Sequence, residues 1–459
     1  MDHSESLNKQ EKRAAVGLAG IYGLRMLGMF LILPVFALYA AHIPGGDNHF
    51  LVGLALGTYG LTQALLQLPY GMVSDRIGRK KVIVFGLILF AAGSFIAAFA
   101  TNIYWIIFGR MVQGAGAIAA ALTALLADLT REEHRTKAMA MIGGTIGLTF
   151  AFSLVAGPLI DHYIGVPGIF ALTGILSLAA IVAIKYYVPD PLHTSFHSDA
   201  EANPAKLRDV VRDGQLLRLD FGIFALHAAQ MGMFVVVPSI LERTGHLPLR
   251  HHWWVYLPVV IVAFILMVPA IIYGEKRGRL KTVFLGAIFL MVFAQLGMFL
   301  GTHVFAAVVA SLLAYFIAFN ILEASLPSLI SKLAPVSAKG AAMGVYNTSQ
   351  AFGQFTGGAV GGLLAQRFGF AEVFAFCTVL MVLWLALAVG MRTPPAVKTR
   401  MFHLGKLSGG DADRLKQALS GVMGVEEVIV LAEEGVAMLK VKLSGWDEAG
   451  AMKLIQGET

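Results

Sequence analysis

Twelve apolar runs, most of about twenty residues, constrain this chain more than any other feature it carries. They fall near 15–40, 50–73, 82–100, 103–127, 138–163, 167–188, 220–241, 253–274, 281–301, 303–330, 341–366 and 370–391. About 20 apolar residues is the length a helix needs to cross roughly 30 Å of hydrocarbon. In lipid a helix also satisfies each backbone polar group within its own segment. Charged residues make up only 14% of the chain, against about 25% in an ordinary globular domain. The sequence therefore reads as an all-α polytopic membrane protein, with the lipid bilayer as its surroundings. The first 13 residues are polar, and the run after them is too long for the apolar part of a signal peptide, so it reads as a retained helix.

The polar segments between the runs set order and orientation. The longest, Pro189 to Leu219, carries three prolines and many charges and reads as a linker. It divides the runs six and six, giving expected units of 1–188, 189–219, 220–391 and 400–459. Basic residues concentrate after even-numbered runs: Arg76, Arg79, Lys80 and Lys81, then Arg131, Arg135 and Lys137, the linker, Lys276 to Lys281, and Lys332 with Lys339. The segments after runs 1, 3, 5 and 9 have no Lys or Arg. By the positive-inside rule both termini and the linker are expected in the cytoplasm. The same clustering explains the net charge of +7 without nucleic acid, since no basic patch is interleaved with aromatics. A single cysteine, Cys377, excludes a disulfide framework.

The two sets of runs repeat. Asp75-Arg76-Ile77-Gly78-Arg79 returns as Glu275-Lys276-Arg277-Gly278-Arg279, an offset of 275 − 75 = 200. Lys137-Ala138-Met139-Ala140-Met141 returns as Lys339-Gly340-Ala341-Ala342-Met343, an offset of 339 − 137 = 202. Each pair occupies the same place in its set, which makes the sets parallel repeats. The segment Gly71 to Lys81 reads as a tight basic loop between runs 2 and 3. Gly71 and Gly78 permit the turn and a close helix approach, and Asp75 is placed to pair with an Arg or a helix N-terminus. Asp128, at the end of run 4, can reach the same loop, so Asp75, Arg76, Arg79, Lys80 and Asp128 form a candidate gate cluster.

Ionisable residues inside a span cost roughly 2.5–3.5 kcal/mol on insertion scales and mark candidate sites. Arg25, Arg110, His227 and Glu323 stand out, each in the first or fourth run of a set. Glu323 is the leading candidate proton carrier because a carboxyl in a low-dielectric cavity holds its proton more strongly; His227 is the second. Polar stripes at four-residue spacing mark helix faces: Tyr59, Gln63 and Gln67; Thr145, Thr149 and Ser153; Asn347, Gln350 and Gln354. Each stripe fits interhelical hydrogen bonding or, with Gln113, a substrate cavity.

Three motifs carry a family resemblance: the Gly71–Lys81 loop with its degenerate copy, Arg110-Met111-Val112-Gln113-Gly114-Ala115-Gly116 in run 4, and Gly157-Pro158 after the glycines at 143, 144 and 147. Together they resemble the major facilitator superfamily, and in particular its drug:proton antiporters. The resemblance implies twelve transmembrane helices in two six-helix halves that rock about a central site, with spans 1, 4, 7 and 10 lining the cavity. It implies a role for Arg110, and by position Arg25, in proton coupling, and export through the Gly157-Pro158 motif, although Leu159-Ile160-Asp161 replaces that motif's later glycines.

The chain from about 400 to 459 reads as water-soluble. Phe402 and Leu404 alternate as in a strand, Asp411 to Leu419 as an amphipathic helix, Val428/Val430 and Leu439/Val441/Leu443 as a hairpin around Glu433-Glu434-Gly435, and Trp446 to Ile455 as a second helix. This β-α-β-β-α order resembles a small ferredoxin-like α+β module of the heavy-metal-associated type. That family's Cys-x-x-Cys is absent, so no metal site is carried over. His246, His251 and His252 lack a carboxylate at ligand spacing beyond Glu242 and read as an outer loop. Gly114 to Ala119 fits a loose dinucleotide pattern but has no preceding strand, and the absence of a phosphate-binding G-x-x-x-x-G-K-[ST] excludes an ATP-driven pump in one chain.

The expectation is thus a monomeric, non-enzymatic secondary transporter in the bacterial inner membrane. It needs no cofactor beyond the proton as coupling ion, and it would export a small amphipathic compound. Its soluble module would dock on its own cytoplasmic face. A proton-coupled metabolite importer, and a sensor or scaffold whose module binds a partner, remain the alternatives.

Overall fold

A computed structural model of the chain describes residues 8–130, 132–190, 204–335, 338–393, 397–404, 409–432, 435–442 and 445–456. The side chains of Arg131, Arg135 and Lys137, the Pro394-Pro395 boundary, the Glu433-Glu434 turn and Leu443 lie outside the described residues.

The chain is helical from its first described turn. Helix α1 (Lys9–Phe30) opens on Asn8, whose side chain and that of Glu11 cap each other's backbone N–H groups. The run that reads as one span is interrupted at Leu31–Val35, where Pro34 cannot supply an N–H, and resumes as α2 (Phe36–Ala40). The path continues through α3 (His49–Ile77), α4 (Arg79–Ala98), α5 (Ile103–Ala115) and α6 (Ala119–Leu129). Run 4 is likewise broken, at Gly116–Ile118. Runs 5 and 6 form α7 (Glu132–Tyr186), which bends sharply at Gly165 (φ 67°, ψ 171°). That backbone conformation suits glycine, and Pro167 follows it.

After a short linker helix, α8 (Pro204–Val210), the second set comprises α9 (Gly214–Gly245), α10 (Trp253–Lys276), α11 (Leu280–Gly301), α12 (Phe305–Leu333), α13 (Lys339–Arg367) and α14 (Phe370–Val389). Among the described residues nine helical stretches are long and apolar enough to cross a membrane, and one of them, Met141–Tyr186, contains the Gly165 bend and crosses twice. With α1 and the glycine-rich α13, these make the twelve crossings of the fold.

One expected loop proves helical. Residues 71–77 continue α3, and only Gly78 (φ 101°) breaks the chain before α4. Gly71 serves close approach: a Cβ there would lie 3.4 Å from Ala120 of α6. Gly278 (φ 64°) makes the matching break between α10 and α11.

The two sets come closest at the end of the molecule away from the termini. There α3 and α13 touch backbone to backbone. A Cβ on Gly57 would lie 2.9 Å from Phe355 O, one on Gly60 2.5 Å from Ala351 O, and one on Gly53, Gly358 or Gly362 would collide with the facing main chain. Small residues are what allow membrane helices such proximity. The His49 N–H donates to Gln366 Oε1 (2.7 Å), and the His49 and Arg243 side chains both lie against the Phe370 ring. At the other end Gly143, Gly144 and Gly147 of α7 face open space. The two sets therefore close on each other through α3 and α13 at the end away from the termini.

The C-terminal residues form a three-stranded antiparallel sheet in the order β1 (Val397–His403), β3 (Val436–Lys442), β2 (Val425–Leu431). Helices α15 (Gly409–Ser420) and α16 (Glu448–Gln456) complete the β-α-β-β-α order. Leu419, Val428, Ala437, Leu439, Val441 and Ala451 make its core. On the opposite face of β3, Val436, Met438 and Lys440 are also buried. The Lys440 ammonium donates to Ala334 O at the end of α12 (3.2 Å). Burial draws that ammonium below the usual lysine range, against the pull of Glu427 and Glu426.

Candidate functional site

Three groups of side chains meet at mid-height between the two sets. The first belongs to the second set. His227 of α9 is buried with its Nδ1 3.3 Å from Ile223 O, four residues back along its own helix. A carbonyl can only accept, so these partners assign the proton to Nδ1 and leave Nε2 as the acceptor. Gln350 Nε2 then donates to His227 Nε2 (2.8 Å). Glu323 of α12 places Oε2 3.8 Å from the same Nε2, beyond hydrogen-bond reach. That oxygen is buried and has no hydrogen-bond partner among the described residues. Two ligands thus compete for one imidazole nitrogen, an amide holding it in the neutral form and a carboxylate standing by.

The second group lies in the first set. Two guanidinium groups lie against the ring of Tyr59 of α3, Arg110 at 4.8 Å and Arg25 at 5.8 Å from its centre. Arg110 of α5 is satisfied by neighbours. It donates to Ala55 O (3.2 Å), Leu56 O (3.4 Å) and Gln113 Oε1 (2.9 Å), while Gln113 Nε2 donates to Ser94 Oγ (2.7 Å). These bonds tie α5 to α3 and α4, and they place Gln113 inside the first set rather than beside Gln350. Among the described residues Arg25 of α1 makes a single hydrogen bond, to Gln63 Oε1 (3.3 Å), and Gln63 Nε2 donates to Gln67 Oε1 (3.4 Å).

The third group is aromatic and joins the sets. Phe150 of α7 lies 5.0 Å from Phe30, 5.7 Å from Phe319, 6.1 Å from Phe316 and 6.4 Å from Phe234. Phe319 in turn lies 5.9 Å from the His227 ring and stacks on Tyr315. Apolar rings thus separate the two polar groups, in offset and edge contacts that suit their quadrupoles. No periodic signal marks this cluster in the sequence, because phenylalanines in a membrane helix read equally well as lipid-facing.

Asp220 is a second residue that sequence reasoning missed. It stands two turns inside α9, buried, with both carboxylate oxygens unpartnered among the described residues. Tyr346 of α13 lies within electrostatic reach of both Asp220 and Glu323. In sequence Asp220 looks like the polar edge of run 7, and only the start of α9 at Gly214 moves it inside.

The remaining candidates are placed as follows. Arg79 pairs with Asp75 and with Asp128 (3.2 Å) and donates to Ser74 Oγ (3.0 Å), joining the α3–α4 corner to the end of α6. Lys80 pairs with Asp190 (2.7 Å) and donates to Val188 O (2.7 Å), while Arg76 is exposed. Gly157 packs on the break in the first span, a Cβ there falling 2.7 Å from Leu31 O and 2.9 Å from Pro34 Cγ; Pro158 follows it within α7. Thr145 Oγ1 donates to its own helix at Met141 O, and its methyl group faces Gly23 of α1, so this stripe serves helix packing. Asn347 and Gln354 share the face of α13 that carries Gln350, and Gln354 meets Gly60 of α3.

Comparison with known proteins agrees with this architecture. The family model described as Major Facilitator Superfamily matches residues 18–274 and 221–408. The chain is 42% identical to the inner membrane transport protein YajR of Escherichia coli (strain K12), over 94% of each chain. It is 26% identical to the multidrug resistance protein MdtH of Aeromonas hydrophila, over 74% of this chain and 85% of that one. Among solved structures, a bacterial homologue of the human lysosomal transporter Spinster superposes with a TM-score of 0.66 at 12% identity, covering 84% of this chain and 97% of the other.

Proposed function

Because the chain belongs to the major facilitator superfamily, as a multi-pass membrane transporter, we propose that it is a proton-coupled antiporter that exports a small amphipathic compound by alternating access. The observation that carries this reading is the Glu323–His227–Gln350 arrangement at the meeting of the two sets. While Gln350 donates to Nε2 the imidazole is neutral. A proton arriving at Nε2 converts it to a donor, displaces the amide, and makes Glu323 its counter-ion at short range. Protonation thereby changes which helix, α13 or α12, holds α9. A transporter needs such a link between proton binding and helix position.

The relatives support the class of cargo and the place. YajR is an inner membrane protein and MdtH a multidrug resistance protein, and we place this chain in a bacterial inner membrane with its termini in the cytoplasm. The positive-inside distribution supports that orientation. The sealed end would then face outward and the central site would load from the cytoplasm. A proton moving inward through about 100 mV releases about 2.3 kcal/mol, which sustains a few tens-fold gradient of neutral cargo per proton. The Lys440–Ala334 bond supports a module that docks on the cytoplasmic end of the second set.

The test is proton flux in proteoliposomes carrying the pure protein, with dyes, antibiotics and metabolites added in turn. A compound that drives proton movement in the wild type and not in Glu323→Gln is the expected result. Proton movement of equal size in Glu323→Gln would remove Glu323 from the proton-coupling site and defeat this reading.

A further inference from the structure

The two sets differ most in how they treat the buried basic side chain of their first helix. Positions in the sets are related by 200 to 202 residues, and 25 + 202 = 227 puts Arg25 in register with His227. His227 faces Glu323 of α12. In the first set the same offset, 323 − 202 = 121, gives Ala121. The cation is kept and its carboxylate is missing.

Among the described residues nothing else in the first set supplies one. The acids of α1–α7 sit within the first or last turns of their helices or beside the Gly165 bend, away from mid-height. Arg25 is 2% exposed, and its one hydrogen bond among the described residues is to a neutral amide. Nε, on the side edge of the guanidinium, and Nη1, on its end, have no partner among the described residues. An arginine stays charged at every working pH, and a buried charge without a partner is costly. Arg110 shows the contrast, since its guanidinium is occupied by two carbonyls and Gln113. Beside Arg25 stands the Tyr59 ring, with its centre 5.8 Å from the guanidinium.

We propose that Arg25 anchors the cargo, and that the cargo is an organic anion: an oxyanion group such as a carboxylate or sulfonate on an apolar, preferably aromatic, body. The planar fork of arginine matches such groups with two parallel hydrogen bonds, while the Tyr59 ring beside it offers a surface to the body. Arg25 is then a substrate-binding residue rather than a proton-coupling one. The inference rests on the reading of the mid-height site as the transport site. Exchange of an anion outward for a proton inward moves charge in every cycle, so transport is electrogenic whatever the proton count.

The experiment compares ligands that share a body and differ in charge: 2-naphthoate, 2-naphthalenesulfonate, the neutral 2-naphthamide and the cationic 2-naphthylmethylamine, with octanoate as a non-aromatic anion. The readout is thermal stabilisation of the purified full chain, which rises with ligand concentration over Kd. The two aryl anions are expected to stabilise the wild type at concentrations where the amide and the amine do not. Arg25→Gln should weaken the anions by at least about tenfold, the size of a lost charged hydrogen bond. Arg25→Lys, which keeps the charge without the fork, should retain the preference for anion over amide at reduced affinity, and so guards against misfolding of the Gln variant.

Equal stabilisation by the amide, unchanged affinity in Arg25→Gln, or no stabilisation by any of the three anions overturns the proposal. Glu323→Gln separates this inference from the antiport reading. If proton flux depends on Glu323 but anion and amide bind alike, antiport stands and the anion site falls. If Glu323→Gln keeps the anion preference and also unaltered proton flux, the anion site stands and antiport through Glu323 falls.

Discussion

The two six-helix sets share a plan and differ in their chemistry. At the end that carries the termini, the Lys80 ammonium of the first set donates to Val188 O, and the Lys281 ammonium of the second donates to Val389 O and Met391 O. The spacing is 281 − 80 = 201 for the lysines and 389 − 188 = 201 for the first pair of carbonyls. The same offset joins the third helix of each set to the end of its sixth. Next to these bonds the resemblance inverts. Arg79 reaches across to Asp128, cation to anion, while Glu275 reaches across to Lys332, anion to cation. The corner is conserved as geometry and reversed in sign. What the repeat preserves is therefore a bridge from the second-to-third helix corner to the end of the fourth span, and the central residues are free to diverge around it. At mid-height they do, into an arginine without a carboxylate on one side and a histidine with one on the other.

The corner offers the sharpest way to break the comparison. Arg79 is 3% and Asp128 0% exposed, against 21% for Lys332 and 52% for Glu275. Removing one member of a buried ion pair costs about 3–5 kcal/mol, whereas an exposed pair contributes about 0–1 kcal/mol. Arg79→Ala should therefore lower the melting temperature of the detergent-solubilised protein strongly, and Lys332→Ala only slightly. Equal losses would mean that the two corners bear the same load and that burial does not distinguish them.

Much of this difference could not be read from the sequence, for physical reasons. Twelve crossings, the parallel repeat and the β-α-β-β-α module were legible because each rests on periodicity or composition local to its own segment. Residues 71–77 read as a loop because Gly71 and a cluster of charges mimic one, whereas in the structure only Gly78 has a positive φ there. The breaks at Leu31–Val35 and Gly116–Ile118 were hidden by unbroken hydrophobicity, which says nothing about hydrogen bonding along the helix. Arg25, His227 and Glu323 were found by the cost of charge in lipid. The partners that decide their roles were not, because the pairing of Gln350 with His227, the place of Phe150 and the vacancy at Ala121 are set by how separate helices face one another.

The glycine contact between α3 and α13 tests whether the sets meet as equals. A side chain on Gly358 would collide with Gly53 O, and one on Gly53 with Gly358 O. Gly358→Val and Gly53→Val should each part the sealed end and shift the population toward the opposite state. Spin labels on Asp47 and Arg250, in a chain with Cys377→Ser, would report a longer distance at that end. A distance unchanged in both variants would show that the seal depends on the His49–Gln366 and Phe370 contacts. A change in one variant alone would show that the sets do not contribute alike.

The lysine caps should give the smallest effect and the closest test of the shared plan. Each binds backbone carbonyls at a helix end, where a cation also faces the negative pole of the helix, and each lies near solvent. Lys80→Gln and Lys281→Gln should each cost about 1 kcal/mol. The losses should be equal within error and additive in the double variant, as expected for distant sites without shared partners. A clear excess at Lys80 would assign the difference to its second contact, the Asp190 carboxylate at 2.7 Å. Asp190→Asn would then bring the two lysines level. If the excess persisted in Asp190→Asn, the first set would depend on its cap more than the second does, and the symmetry seen in the hydrogen bonds would not extend to their energies.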